Sequence, residues 1–179
     1  MTPAILSELA ATTLDDIHVV GFVDDDESPC RFHGQFRVMY LDLGGQLLEL
    51  RCIEDTGRIR MALAREFSKP PDLDDDLQPC VMSIRELVLV DPDGENRMVA
   101  LRLWGALFDN ESVTCSAAQL ELENGQVVFA DPSYHFGIRL GGPEQKATWF
   151  QNWPGAGSKV EWCTSQVGLG PDPDGPDPG

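Results

Sequence analysis

The sequence lacks the short motifs by which many enzymes can be identified. It contains no GxSxG serine motif, no P-loop and no glycine pattern of a dinucleotide-binding fold. The sequence therefore gives no support for a nucleotide-dependent enzyme, and we expect no cofactor. Since no other motif indicates catalysis, we predict that the protein is not an enzyme.

Paired cysteines are also lacking. The cysteines are odd in number and widely spaced, and no CxxC pair occurs. A disulfide framework or a structural zinc knuckle normally needs paired cysteines, so we expect neither. The cysteines are Cys30, Cys52, Cys80, Cys115 and Cys163.

Long apolar runs are absent. None approaches the roughly 20 residues that a helix needs to cross a bilayer. Residues 1–11 lack the basic and apolar regions of a secretory signal. We therefore expect a cytoplasmic protein that has no membrane partner.

Cations are scarce, with 13 Lys and Arg against 30 Asp and Glu, which leaves a net charge of -17. Contacts to nucleic-acid phosphates are made largely by cations, and the field of this chain would repel a polyanion. The sequence therefore predicts no nucleic-acid partner.

The negative charges that dominate the sequence are bunched. Residues 24–27 and residues 72–76 contribute four negative charges each, and residues 168–179 contribute three, so these segments hold 11 of the 17 excess charges. Discrete acidic patches favour a discrete basic protein partner, which they would attract over a distance. We predict that the partner-binding residues are Asp24, Asp25, Asp26, Glu27, Asp72, Asp74, Asp75 and Asp76.

Hydrophobic residues make up 42% of the chain, which is enough for one core. We predict a single β-rich domain over residues 1–167 and a flexible tail of Gly, Pro, Asp and one Leu over residues 168–179. A short helix should come first, because Thr2 can cap it and Pro3 suits its first turn. It should end near Thr12 or Thr13.

Alternating apolar residues and frequent turn signals then predict a mainly β, antiparallel fold, either a sandwich or a half-open barrel. Three strands should form a meander through residues 32–43, 48–52 and 59–63, with Gly44 and Gly45 in the first turn. Residues 68–79, with three prolines and four aspartates, predict an exposed crossing. Further strands are predicted over residues 80–90, 97–108, 112–123, 126–131, 134–140, 146–150 and 159–163, with no clear further helix.

A weak internal repeat links the two halves. Residues 41–43 match residues 120–122 in type at an offset of 79, and residues 59–60 match residues 138–139 at the same offset. These matches are compatible with a duplicated hairpin unit and two similar lobes, although any two strand-turn-strand units share such a pattern.

The three histidines are the candidates for acid-base chemistry or metal binding. Cys30 and His33 would need a turn between them to share a metal or to act as nucleophile and base. His18 and His135 stand alone in apolar surroundings, which favours structural roles. The aspartate-rich turns at Asp91 and Asp172 lack the glutamate of a calcium loop, so we predict no metal site.

Other polar and aromatic residues have structural interpretations. Glu49 and Glu86 lie within apolar stretches and should point outward from strands. Arg58 and Arg60 share a strand face and should pair with carboxylates of a neighbouring strand. Four aromatic residues near the C-terminal end favour a core contribution, with one tryptophan partly exposed. They are Trp149, Phe150, Trp153 and Trp162.

Three functional hypotheses follow. The first is a non-enzymatic acidic protein that masks a basic protein partner, such as an immunity protein or inhibitor of a bacterial toxin. The second is a small-ligand-binding β-barrel or a hydrolase that uses His33 or His135. The third is a homo-oligomeric structural scaffold.

Overall fold

We describe the protein from a computed structural model. The structure describes residues 12–24, 28–54, 56–69, 73–74, 77–153, 159–163 and 166–170, the last two ranges by their backbone only. The predicted N-terminal helix therefore lies almost entirely outside the described residues.

Seven antiparallel strands form the first sheet, in the order β5-β1-β2-β3-β4-β8-β7. The predicted meander is confirmed as β2, β3 and β4, and Gly44 and Gly45 take positive φ angles of 62° and 87° in its first turn. The strands are β1 (Leu14–Asp24), β2 (Arg31–Leu43), β3 (Gln46–Ile53), β4 (Arg58–Ala64), β5 (Pro79–Ser83), β7 (Leu107–Phe108) and β8 (Ser112–Cys115).

The second sheet is also antiparallel, in the order β11-β10-β9-β6-β12-β13. The mainly β, antiparallel fold class is thus confirmed, and the described strands form open sheets that do not close into a barrel. The strands are β6 (Met98–Trp104), β9 (Ala117–Leu122), β10 (Val127–Tyr134), β11 (Gly137–Gly141), β12 (Lys159–Cys163) and β13 (Gln166–Gly170).

One hydrophobic core joins the two sheets. Met39, Leu41 and Leu50 of the first sheet belong to the same buried cluster as Leu101 and Leu120 of the second. In β2 the alternate residues Val38 and Tyr40 face away from this cluster and pack with Val20 on the outer side of the first sheet. Both faces of the central first-sheet strands are therefore partly buried.

Two predicted strands pass from one sheet to the other. Residues 97–108 divide into β6 and β7 around Gly105, and residues 112–123 divide into β8 and β9 around Ser116. Gly105 has a φ of 59°, which suits glycine at this break. The predicted strands 80–90 and 97–108 flank a turn but do not form a hairpin across it, because β5 pairs with β1 instead.

The predicted carboxylate partners of Arg58 and Arg60 are also wrong. Arg58 donates from Nη2 to the backbone oxygens of Gly105 at 2.5 Å and Thr114 at 3.3 Å. Arg60 donates from Nε to the Ser112 hydroxyl at 3.2 Å. Arg58 thus bonds to backbone carbonyls near the two points where the chain changes sheet.

Two short helices replace predicted strands. Residues 80–90 continue from β5 into α1 (Arg85–Val88), and residues 146–150 lie within α2 (Pro143–Asn152). Pro143 stands at the start of α2, where its fixed φ and missing N–H suit a first helical turn. Glu86 is therefore an exposed residue of α1 and not a strand residue.

The predicted tail begins too early. β13 includes residues 168–170, which pair with β12 through Glu161 opposite Gly168 and Lys159 opposite Gly170. A ladder needs only backbone donors and acceptors, which glycine supplies, so composition alone misplaced this boundary. Residues 171–179 lie outside the described residues.

Candidate functional site

β1, whose last residue begins the first acidic run, and β5, which follows the second run, are neighbours at one corner of the first sheet. β1 ends at Asp24, which lies opposite Arg31 of β2. β5 begins at Pro79, soon after the second run, and Pro79 lies opposite Phe22 of β1. Because β1 and β5 are antiparallel neighbours, the end of one lies beside the start of the other. We call this end of the β1–β5 pair the acidic corner.

The structure describes Asp24 and Asp74 among the predicted partner-binding residues. Asp24 is half-buried at the end of β1, and Asp74 is exposed. The remaining six lie outside the described residues and stay a prediction: Asp25, Asp26, Glu27, Asp72, Asp75 and Asp76.

Phe67, just before the acidic crossing, packs on the outer side of the first sheet, and Leu73 within the crossing is buried. Leu73 is only 6% exposed, which corrects the expectation that the whole crossing is exposed. Phe67 meets the rings of Tyr40 and His18 edge-on, with ring centroids 5.0 and 5.1 Å apart. Burial of Leu73 restrains the backbone next to Asp74, whose own side chain is exposed.

A polar network anchors the start of this crossing. Glu49 accepts hydrogen bonds from Tyr40 at 2.8 Å and from Arg51 at 2.8 and 2.9 Å. The Ser68 backbone nitrogen donates to the Tyr40 hydroxyl at 2.9 Å, and Arg51 donates to the Ser68 hydroxyl at 2.8 Å. Each of these polar groups has a partner, so the network can be partly buried at little cost.

Glu49 points away from the core as strand alternation predicts, but the side chain is only 13% exposed. Burial by itself raises the pKa of Glu49, whereas the hydrogen bonds from Arg51 and Tyr40 outweigh it and hold the pKa below its usual value. Glu49 therefore acts as an ionised anchor.

A second candidate site is a cavity of ≈ 540 Å³ at the end of the molecule where β2 and β3 approach the β10–β11 turn. This size falls within the roughly 300–1,000 Å³ typical of small-ligand sites. Its lining includes polar and aromatic side chains that the sequence separates widely: Arg37, Cys52, Glu54, Tyr134, His135 and Trp153.

The cavity brings a histidine, a cysteine and a carboxylate to one lining, but their chemistry does not favour catalysis. Burial raises the pKa of the Cys52 thiol to about 11, so the thiol is protonated at neutral pH and is a poor nucleophile. Glu54 pairs with Arg37 at 3.3 Å, and His135 meets the Phe136 ring edge-on. Contrary to expectation, His135 is exposed rather than a buried structural histidine.

The other two histidines lie on the first sheet. His33 stacks on Phe22 with ring centroids 5.0 Å apart. The His18 Nε2 lies 3.8 Å from Asp16, whose other oxygen accepts from the Ser83 hydroxyl at 2.6 Å. Ser83 is thus bonded to the carboxylate and not to the imidazole, which differs from the order of a serine–histidine–aspartate triad.

No group of three or more His, Cys, Asp or Glu residues with metal-binding geometry occurs in the described part of the chain. Cys30 is exposed, and the ring of its proposed partner His33 lies against Phe22. The Cys30–His33 pair therefore gains no support from the structure.

The tryptophan interpretation is confirmed for the two residues whose side chains are described. Trp149 is 1% exposed and packs with Trp104 and Phe129, whereas Trp153 is 45% exposed at the cavity. Trp162 has no described side chain.

Sequence reasoning missed the cavity as a site. The available signal was the run of three ring side chains, Tyr134, His135 and Phe136, before Gly137. Such a run at a turn leaves its rings exposed, here 46% for Tyr134 and 65% for Phe136. Its opposite wall, at Arg37 and Glu54, could be located only from the fold.

Comparison of the chain with protein-family models, curated proteins and solved structures gave no match. Among the described residues, no helix has the length and apolar character needed to cross a membrane.

Proposed function

We propose that this chain is a non-enzymatic binding protein that masks a basic protein partner, as an immunity protein or inhibitor of a bacterial toxin does. The observation that supports the proposal is the register of β1 and β5, in which the end of β1, where the first acidic run begins, lies beside the start of β5, which follows the second run. We infer from this register that the two runs, which lie more than 40 residues apart in the sequence, contribute to one acidic surface.

Physical chemistry favours such a surface for partner capture. Like charges gathered at one corner create a stronger local field than the same charges spread over the surface, and that field speeds association with a cationic protein. The Glu49 network and Leu73 support the crossing that carries the second run. A supported segment loses less conformational freedom on binding than a free loop does.

The test begins with capture of a basic protein by the immobilised chain, followed by titration of the purified pair at increasing NaCl concentrations. We expect the affinity to fall steeply with salt. Replacing residues 24–27 by their amides should weaken binding, and replacing the four aspartates of 72–76 by Asn should do the same.

A matched control neutralises four exposed carboxylates elsewhere, through Asp93→Asn, Glu95→Gln, Glu111→Gln and Glu123→Gln. This variant removes the same charge as either run and should bind more tightly than both run variants. Binding that is insensitive to salt and survives neutralisation of both runs would overturn the proposal.

A small-ligand site is the second candidate, favoured by the cavity that contains His135 and Trp153. An exposed indole beside Arg37 and Glu54 offers both an apolar face and polar partners to a small molecule. A thermal-shift screen of small polar and aromatic compounds tests this candidate. A stabilising compound should lose its effect on Trp153→Ala and keep it on Trp149→Phe, which alters a tryptophan away from the cavity.

A further inference from the structure

The outer edge of β5 is open in the described structure. β5 is the last strand of the first sheet, and no described strand pairs with its other side. Its sequence, Pro-Cys-Val-Met-Ser, contains no charged side chain. Natural edge strands are commonly protected by lysine, proline or a bulge, and of these β5 has only Pro79 at its first position.

Hydrogen-bond parity shows which backbone groups face outward. The Ile84 nitrogen donates to the Ile17 oxygen at 2.8 Å, one position beyond the pair of His18 with Ser83 in the register. Antiparallel pairs alternate between bonded and non-bonded, so Met82 and Cys80 bond to β1 while Val81 and Ser83 turn their N–H and C=O groups to the free side. Pro79 shares the outward parity, where its missing N–H breaks no bond to β1.

The edge also carries apolar side chains. Val81 is 43% exposed and Met82 is 38% exposed, and successive strand residues point to opposite faces. Val23, near the end of β1, is 41% exposed. A strand added beside β5 would therefore gain backbone hydrogen bonds and apolar contacts on both faces.

The charge around β5 indicates which kind of segment can pair with its free edge. The Pro79 end of β5 lies at the acidic corner, so a strand added along β5 would bring its residues at that end near Asp24, the first residue of the first acidic run. A second copy of this chain would bring another net charge of -17, which opposes self-pairing. A segment with alternating apolar residues and Lys or Arg at the corner end fits both the edge and the charge.

We propose that β5 accepts an extended segment of the basic partner as an additional strand, which rests on the proposed function. Strand addition supplies the directional backbone contacts, and the acidic corner supplies attraction and fixes which end of the segment is basic.

The probe is a synthetic peptide of two lysines followed by alternating valine and threonine. Isothermal titration should detect binding to the full chain. N-methylation of alternate residues, which removes the hydrogen-bonding N–H groups, should weaken binding by about tenfold or more. Glutamates in place of the lysines should abolish detectable binding at low salt.

Amide hydrogen exchange gives the position-specific readout. We expect peptide binding to slow exchange at Val81 and Ser83, whose N–H groups face the free edge. Exchange at Met82, whose N–H is already bonded to β1, should change less. Equal changes at all three amides, or none at Val81 and Ser83, would overturn strand addition.

Two variants separate the edge from the corner. Val81→Pro removes one outward donor, and Val81→Lys keeps that donor but adds an edge charge, so folding can be checked for each by circular dichroism. Both variants should weaken binding of the peptide by about tenfold or more. If the captured basic protein binds Val81 variants normally but loses affinity when the acidic runs are neutralised, strand addition is wrong while the proposed function stands.

Failure of the lysine peptide to bind, or equal binding of its N-methylated form, would also overturn strand addition. Light scattering tests whether the chain pairs with a second copy of itself. A dimer that Val81→Pro dissociates would assign the edge to a second copy of this chain and overturn the commitment to a basic partner.

Discussion

At the scale of single residues, Glu49 shows how a polar side chain becomes structural. It lies on the outer side of the first sheet, where it would be solvated if nothing covered it. The crossing brings Ser68 and Phe67 over this position, and Tyr40 and Arg51 satisfy the carboxylate. Glu49 therefore links the β meander to the segment that carries the second acidic run.

Glu49→Gln should lower the free energy of unfolding by about 1–3 kcal/mol, because Arg51 loses its charged acceptor in a partly buried site. Urea denaturation followed by circular dichroism measures this change. Glu123→Gln is the control, since its 62% exposed carboxylate meets Arg97 at the surface, and it should cost under about 0.5 kcal/mol. Equal costs for both variants would contradict the anchoring role.

The contribution of Glu49 to stability should depend on pH. Its pKa is lower in the folded chain, so the contribution is fully present above the ordinary carboxyl pKa of about 4.3 and is lost as pH falls through the folded value. The stability difference between the wild type and Glu49→Gln should therefore shrink in acid. A difference that grows below that pH would contradict the assignment.

Cysteine reactivity is the third prediction at this scale. Burial raises the pKa of the Cys115 thiol to about 12, whereas Cys30 is exposed. Iodoacetamide at pH near 8 should label Cys30 in the native protein and Cys115 only after unfolding, because the thiolate is the reactive form. Peptide mass spectrometry separates the sites. Comparable native labelling of both would show that the Cys115 environment is open to reagent.

At the scale of elements, the β10–β11 turn depends on one glycine. Gly137 has a φ of 124°, and a Cβ there would lie 2.6 Å from the Arg37 nitrogen. This close approach sets β11 against β2 and forms part of the cavity lining. Side chains larger than hydrogen cannot occupy the position without moving the backbone.

Gly137→Ala should therefore destabilise the protein more than Gly125→Ala does. Gly125 also has a positive φ, 85°, but an added Cβ would meet nothing within 4 Å. The control should cost about 1–2 kcal/mol for its backbone angle, and Gly137→Ala should cost a further 1–3 kcal/mol or so for the clash. Thermal unfolding of the two variants measures the difference, and equal melting temperatures would refute the clash.

The two sheets share an arrangement that favours the internal-repeat hypothesis. In the first, β1 to β4 follow in order and β5 pairs with the free side of β1. In the second, β6, β9, β10 and β11 follow in order and β12 pairs with the free side of β6. β7 and β8 would then be an insertion within the second unit, attached to the edge of the first through β4.

At the scale of the whole molecule, the large net negative charge destabilises the compact folded state. A net charge of -17 repels itself, and salt screens that repulsion. The melting temperature should therefore rise as NaCl is added at neutral pH. A variant with both acidic runs neutralised carries eight fewer negative charges, so its net charge is -9 and its rise should be smaller. A melting temperature that falls with salt in the wild type would contradict this view.

Much of the architecture could be predicted because it rests on local patterns. Alternation in residues 32–63 and the glycine pair at 44–45 determine the meander, since strand faces and tight turns depend on neighbouring residues. Residues 143–152 were misassigned because Trp149 and Phe150 look like strand residues, and their helix is stabilised by packing on Trp104 and Phe129.

For the candidate sites, too, some features could be predicted from the sequence and others could not. Composition alone locates the acidic runs, because charge can be counted along the chain. The position of Asp24 near the start of β5, the open edge at Val81 and the cavity between Arg37 and His135 depend on which strands pair. No local pattern shows that β5 returns to β1.

The antiparallel β class, the acidic character and the position of each acidic run could be read from the amino-acid sequence, since they follow from residue type and short-range periodicity. The pairing of β5 with β1, which makes β5 a neutral edge strand that starts beside the end of β1, could be found from the fold alone. The physical reason is that long-range strand pairing is selected by burial of a shared core, to which residues from the whole chain contribute.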